Sequence, residues 1–307
     1  MDKTYSLFIA IIGRPNVGKS SIINRLLGQK VAIVSDKPQT TRTRIMGVLT
    51  RDNNQFVFVD TPGFHKPRNT LGENMMKAVG AGLCDVDAVM LVVEAAPKFT
   101  LDTENLPAAE LELINEIKRR KLRAFLVINK VDLLEDKEEL FEIIAAYSKL
   151  YDFDSVIPVS AIKGDGTDII LNEVAAYLKE APHYFDSEDV TDQSERVMVA
   201  EMIREKLLRS LDKEVPHGIA VDIERFYERD TADGKPILEV EATIYCERDS
   251  HKGIVIGKSG SMLKKIGAAS RRDIEKFFGI KVNIKLWVKV KEDWRNRQGL
   301  IHTFGLD

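Results

Sequence analysis

At 307 residues, with 30% charged and 44% hydrophobic side chains and a formal net charge of −3, the chain has the make-up of a soluble globular protein with room for two ordinary cores. That excludes a disordered or fibrous chain, no apolar stretch reaches the ~20 residues of a membrane span, and the amino terminus lacks the pattern of a secretory leader. Cys84 and Cys246 have no Cys/His companion at zinc spacing, so they point to a reducing, cytoplasmic setting and are expected to be small core residues.

Tyr5–Ile12 is apolar and isoleucine-rich, as a buried strand is. It runs into Gly13, Arg14, Pro15, Asn16, Val17, Gly18, Lys19 and Ser20, which fit G-x-x-x-x-G-K-[ST]. From Ser21 to Leu27 a helical face of Ile22, Ile23, Leu26 and Leu27 follows, and Gly28 can stop the helix. Strand, glycine-bearing turn and helix direct backbone N–H groups into a concavity that favours an anion. Lys19 would then reach the β- and γ-phosphates of a nucleotide, Ser20 would ligate Mg²⁺, and Ser21 would stand at the helix start beside them.

The second half of Val31–Arg44 lacks periodicity and is expected to be a mobile loop. Ile45–Arg51 and Gln55–Val59 read as paired strands about the turn Asp52-Asn53-Asn54. The second strand ends in Asp60, Thr61, Pro62 and Gly63. A carboxylate at that strand tip can hold Mg²⁺ through water, and the Gly63 N–H can meet a γ-phosphate. A strand over Ala88–Val93, an amphipathic helix over Pro107–Arg120 and a strand over Ala124–Ile128 lead to Asn129-Lys130-Val131-Asp132. Asp132 can accept from the N1–H and 2-amino groups of guanine, donors that adenine lacks. Asn129 and Lys130 would brace the loops and flank the base. Lys137, Glu138, Glu139 and Glu142 read as a solvated helix face. Ser155–Val159 is a strand leading to Ser160-Ala161-Ile162-Lys163-Gly164, whose backbone N–H groups can meet the guanine O6, and a helix over Asp168–Lys179 closes the unit. The alternation predicts an α/β fold of the P-loop NTPase type: a mostly parallel sheet, helices on both faces, and the ligand at the strands' C-terminal edge.

Glu180–Gln193 is acidic and aperiodic and reads as a linker, with His183 a surface residue. The expected organisation is a nucleotide-binding domain over 1–181, a linker over 182–193 and a smaller α+β domain over 194–307. Ser194 caps a helix whose apolar stripe is Val197, Ala200, Ile203, Leu207 and Leu208. Gly218–Glu228 and Ile237–Glu247 alternate as half-exposed strands about an Asp233-Gly234 turn. A glycine-containing turn, a helix over Ser261–Phe277, a strand over Ile280–Val290 and a tail complete the chain. Trp287 is expected to be buried on that strand, with base stacking as the alternative. From Arg248 to Arg297 there are fourteen Lys/Arg against five Asp/Glu, a local +9 in a chain of net −3. A polyanionic partner is expected there. Gly257-Lys258-Ser259-Gly260, between Ile254/Ile256 and Leu263/Ile266, matches the G-x-x-G loop that clamps four nucleotides of RNA backbone. Lys252, Ile254, Gly257, Lys258, Ser259, Gly260 and Lys264 are the candidate RNA-binding residues.

Together these residues resemble the Era family, bacterial GTPases with a Ras-like domain followed by a KH domain, over almost the whole chain. The resemblance implies that Lys37–Arg44 is switch I, with Thr41 as the third Mg²⁺ ligand beside Ser20 and Asp60 and Thr40 as its competitor. It also implies that Asp60–Phe64 starts switch II. Phe64 stands where Ras-type enzymes carry a water-orienting glutamine, so slow intrinsic hydrolysis is expected, carried by Asn16, Lys19, Thr41 and Gly63. Asn16 matches the loop asparagine associated with K⁺ in related GTPases; helix-cap or loop hydrogen bonding is its alternative role. By resemblance the partners are GTP and GDP, the 3′ end of 16S ribosomal RNA and the small ribosomal subunit. A monomer is expected, and the family's peripheral contact with the inner membrane is implied and compatible with the basic face. Two other readings stay open: an RNA chaperone in which nucleotide only supports the fold, and a membrane-recruited regulator.

Overall fold

The computed structural model describes residues 3–95 and 106–306. They form two compact units: one running to Val34 and including Thr41–Lys66 and Met75–Asp192, the other comprising Ser35–Thr40, Pro67–Asn74 and the chain from Gln193 onward. The elements up to Glu180 are β1 (Tyr5–Ile12), α1 (Lys19–Leu27), β2 (Ile45–Arg51), β3 (Asn54–Asp60), α2 (Thr70–Gly82), β4 (Ala88–Glu94), α3 (Ala108–Arg120), β5 (Ala124–Asn129), α4 (Lys137–Ser148), β6 (Ser155–Val159), α5 (Thr167–Ala175) and β7 (Lys179–Glu180).

In the first unit the strand order is β2-β3-β1-β4-β5-β6. β2 is antiparallel to β3, and the other neighbours in that order are parallel. The alternation of β1 explains the layers. Leu7, Ile9 and Ile11 pack with Ile22, Ile23 and Leu26 of α1 and Ile170 and Val174 of α5. Ala10 and Ile12 pack on the other face with Val79, Leu113, Ile114, Ile117 and Ile143. The register Ile11↔Asp60, Glu94↔Asn129 and Asn129↔Val159 brings the strand ends to one edge.

The fold departs from the sequence reading at four places in this unit. The part of helix α2 in this unit, from Met75, is not apparent from a stretch holding Gly80 and Gly82, residues that weaken a helix; Met75, Val79 and Leu83 are nevertheless buried at helical spacing. Helix α5 ends at Ala175 rather than Lys179, because Lys179 and Glu180 pair antiparallel with Ser6 and Tyr5. Cys84 lies exposed just beyond α2, unlike buried Cys246. The linker stretch is fastened along β2 and β3: Gln55 Oε1 accepts from Tyr184 N at 2.8 Å, Val48 N donates to the Val190 carbonyl at 2.9 Å, and His183 Nε2 donates to the Asn53 carbonyl at 3.0 Å.

The second unit contains α6 (Glu195–Ser210), β8 (Ala220–Asp230), β9 (Pro236–Cys246), α7 (Asp249–Ile256), α8 (Ser261–Phe278), β10 (Lys281–Val290) and α9 (Gln298–Thr303). Ser194 caps α6 through Val197 N. In the sheet β10-β9-β8, β10 is parallel and β8 antiparallel to β9. Leu238, Val240, Ala242, Ile244 and Cys246 face a core shared with Met202, Ile203, Leu207, Val255, Ile266 and Ile274. The buried stripe of α6 is rotated from the expected one: Met198, Val199 and Met202 join it, whereas Val197 is exposed. Trp287 is 55% exposed. Leu286 and Val288 claim the core face, and period two turns Trp287 outward with Lys285 and Lys289. Among the described residues no helix is long and apolar enough to cross a membrane.

Candidate nucleotide site and basic groove

Three loops meet at the C-terminal edge of the larger sheet. In the first, Lys19 is buried at the start of α1, and its ammonium donates to the carbonyls of Gly13 (3.1 Å) and Arg14 (3.0 Å). Burial pushes its pKa down to about 8, against the opposing pull of the Asp60 charge. In the second loop, at the end of β3, Asp60 is fully buried, accepts from Ser20 Oγ at 2.8 Å through Oδ2, and has no hydrogen-bond partner at Oδ1. Burial raises its pKa to about 6, opposed first by the Lys19 charge. Thr41 Oγ1 lies 3.0 Å from Ser20 Oγ, and Thr40 Oγ1 donates to the Lys37 carbonyl at 2.6 Å. Two hydroxyls and a buried carboxylate with a spare oxygen form the hard oxygen set that suits Mg²⁺, so these residues fit that ion. Among the described residues no group of three or more His, Cys, Asp or Glu could hold a metal.

Thr61 Oγ1 donates to the Ile11 carbonyl (2.8 Å) and Phe64 N to that of Gly13 (3.0 Å), which lays the Asp60–Phe64 stretch across the phosphate loop. Gly63 is required by close approach: a Cβ there would sit 2.6 Å from Pro15 Cα. The Phe64 side chain is partly buried and packs against the core. Asn16 is exposed, with left-handed backbone at φ +66°.

The third group surrounds Asn129 and Asp132. Asn129 donates to the Val17 carbonyl (2.8 Å) and accepts from Ala161 N (3.0 Å), joining the loop after β5 to the phosphate loop and to the loop after β6. Asp132 Oδ1 accepts from Ser160 Oγ at 2.6 Å, Lys130 pairs with Glu94 at 3.0 Å, and Ile162 is 81% exposed.

Three supporting residues escaped the sequence reading. Asn24 holds the chain after α1 through Val31 N (2.9 Å), Ala32 N (3.0 Å) and the Ala32 carbonyl (2.7 Å). Glu110 binds Arg14, and Tyr147 binds Glu110. A signal existed for Glu110: it lies three, four and seven residues before Leu113, Ile114 and Ile117, so the buried stripe of α3 begins with a carboxyl group.

In the second unit an open groove of about 430 Å³ runs between α8 and β10, lined by Leu263, Lys264, Gly267, Arg271, Ile284 and Leu286 among others. Of the seven sequence candidates, Gly260 and Lys264 line it; Lys252, Ile254, Gly257, Lys258 and Ser259 lie outside its lining, with Ile254 half exposed on α7. Gly257 has φ +74°, and a Cβ there would meet Met262 Cβ at 2.7 Å. Arg271 is a cation of the groove that the motif alone did not indicate.

Residues 8–130 match the family described as 50S ribosome-binding GTPase, and residues 214–295 match the KH domain. GTPase Era of Clostridioides difficile (strain 630) is 48% identical over 298 residues, 97% of this chain and 97% of that protein. The chain belongs to the Era GTPase family. GTPase Era of Ruminiclostridium cellulolyticum is likewise 48% identical over 298 residues, 97% of this chain and 96% of its own. Among solved structures, the crystal structure of Era in complex with MgGDPNP and nucleotides 1506–1542 of 16S ribosomal RNA superposes with a TM-score of 0.91 at 33% identity, covering 99% of both chains. An Aquifex aeolicus Era variant bound to GDP·AlF4⁻ gives the same values. The Era-family chain is thus a GTPase, with a Ras-like P-loop unit followed by a KH unit.

Proposed function

We propose that this GTPase is a switch whose nucleotide state governs how the basic groove of its KH unit holds RNA, the RNA being the 3′ end of 16S ribosomal RNA during maturation of the small subunit. The solved Era complex holding both MgGDPNP and a 16S fragment supports this pair of ligands. The observation that carries the nucleotide half is the convergence of Ser20, Thr41 and Asp60, with Asp60 Oδ1 buried and unpartnered, beside the buried Lys19.

On this reading the backbone of Gly13–Ser21 wraps the phosphates, Lys19 balances their charge, and Ser20, Thr41 and Asp60 hold Mg²⁺. When bound, that ion neutralises charge on the phosphate oxygens. The Gly63 N–H meets the γ-phosphate, with Thr61 and Pro62 setting its approach. Asp132 accepts from guanine, Asn129 ties the loops, Lys130 and Ile162 flank the base, and the Ser160–Ile162 backbone donates to O6. With Phe64 packed into the core, no side chain at that position orients a water, and intrinsic hydrolysis is slow. Asn16, exposed in the phosphate loop, offers its side-chain carbonyl to K⁺. Faster hydrolysis in KCl than in NaCl, lost in Asn16→Ala, checks that role.

Lys264 and Arg271 contact RNA phosphates, the Gly257–Gly260 turn lets the RNA backbone approach, and Leu263, Ile284 and Leu286 give bases an apolar floor. The deciding experiment measures RNA affinity of the full chain with GDP and with GDPNP. A switch requires different affinities, since a ligand that binds both states equally shifts neither. Equal affinities refute it.

A further inference from the structure

Glu110 is a carboxyl group inside an apolar layer. It is fully buried, on the face of α3 that carries Leu113, Ile114 and Ile117. Both of its oxygens are used: Oε1 accepts from Arg14 Nε at 2.5 Å and Oε2 accepts from the hydroxyl of Tyr147, itself 4% exposed on α4. The pair is half-buried, with the Arg14 side chain 28% and Glu110 1% exposed, and the cost of desolvating the carboxyl offsets much of the attraction, so it is a poor way to stabilise a helix contact. What such a pair does supply is a fixed geometry, and here it ends on the phosphate loop.

Arg14 faces two ways. Its guanidinium Nε donates to Glu110, and its carbonyl accepts from the Lys19 ammonium at 3.0 Å. Its neighbours carry the other side of the site: the Gly13 carbonyl takes Phe64 N at 3.0 Å, and Pro15 lies against Gly63. Gly13–Pro15 is therefore the part of the loop against which Lys19 and the γ-phosphate side are set. The remaining part, Val17–Ser20 at the start of α1, is held separately, by Asn129 at the Val17 carbonyl and by Ile22, Ile23 and Leu26 in the core.

We propose that Glu110 is a positioning residue for GTP hydrolysis, holding Arg14 in place with the help of Tyr147 so that Gly13–Pro15 keeps Lys19 and Gly63 aligned on the γ-phosphate. The proposal rests on Gly13–Ser20 being the phosphate loop. It assigns Glu110 to the part of the loop that distinguishes GTP from GDP, and that separation can be measured.

The experiment compares the unaltered full chain with Glu110→Gln, Tyr147→Phe and Arg14→Gln, reading kcat, KM for GTP, Kd for GDP and Tm. A misplacement of well under 1 Å at a reacting group costs on the order of ten-fold in rate. Glu110→Gln is therefore expected to lower kcat about ten-fold while the GDP Kd stays within about two-fold, and Tyr147→Phe to lower kcat by less. Glu110→Gln combined with Arg14→Gln should lose no more than the worse single variant, because both break one connection. Loss of kcat and GDP affinity in step with a falling Tm would overturn the proposal and leave a structural brace. An unchanged kcat in a folded variant would overturn it too. Should Glu110→Gln not fold, Tyr147→Phe carries the same test with the carboxyl retained. Failure of the unaltered chain to bind GDP would instead remove the phosphate-loop reading beneath it.

Discussion

Asn129 and Val17 are joined by a 2.8 Å hydrogen bond that ties the tip of β5 to the phosphate loop, 112 residues away in sequence. Its other arm accepts from Ala161 N, so one buried amide sets the spacing of three loops. Asn129→Ala orphans the Val17 carbonyl and Ala161 N, at roughly 1–3 kcal/mol for each group left unpaired. The expected result is a lower urea midpoint together with weaker GDP binding. A variant as stable as the parent rejects the account.

Asp132 is held by Ser160 at 2.6 Å through one oxygen. In Asp132→Asn an acceptor pair becomes a donor and an acceptor, so preference should move from guanine to xanthine by on the order of a hundred-fold or more. Competition between GTP and XTP for the nucleotide site reads this directly, and an unchanged GTP preference refutes the role of Asp132.

Burial moves Asp60 up from 3.8 to about 6 and Lys19 down from 10.5 to about 8. Between pH 3.8 and 6 the folded protein binds more protons at Asp60 than the unfolded chain does, so this group's contribution to stability falls as pH rises through that window. Between pH 8 and 10.5 the unfolded chain holds more protons at Lys19, and stability recovers as pH rises. Freed of nucleotide and Mg²⁺, the parent protein should lose stability relative to Asp60→Asn from about pH 4 to about pH 6. Urea unfolding at several pH values checks the sign, and the opposite trend excludes the assignment.

The two tryptophans differ in environment. Trp294 is fully buried and donates to the Gly218 carbonyl at 3.0 Å, whereas Trp287 is 55% exposed. Trp294→Phe should cost about 1–3 kcal/mol through a cavity and an orphaned carbonyl, and Trp287→Phe within about 0.5 kcal/mol. Acrylamide should quench one emission component readily, and that component should vanish in Trp287→Phe.

Arg271 lines the groove beside Lys264. Arg271→Ala should weaken binding of single-stranded RNA of any sequence and reduce the slope of log affinity against log salt by about 0.7. An unchanged slope would take Arg271 off the RNA path.

The motif loops were visible in the chain because each is a short run of residue types at the end of a strand or helix. Strand periodicity, Gly13–Ser20, Asp60–Gly63, Asn129–Asp132 and Gly257–Gly260 are local patterns, and local backbone geometry is what they encode. The approach of Thr41 to Ser20, the outward turn of Trp287, the buried stripe of α6 and the fastening of the linker through Gln55 were decided by packing between distant segments. So was the Arg14–Glu110–Tyr147 connection: nothing local in the chain ties Glu110 to partners that lie 96 and 37 residues away. A charged side chain can be kept in such a layer only where the fold brings its partner within bonding distance, and that distance is a property of the folded chain alone.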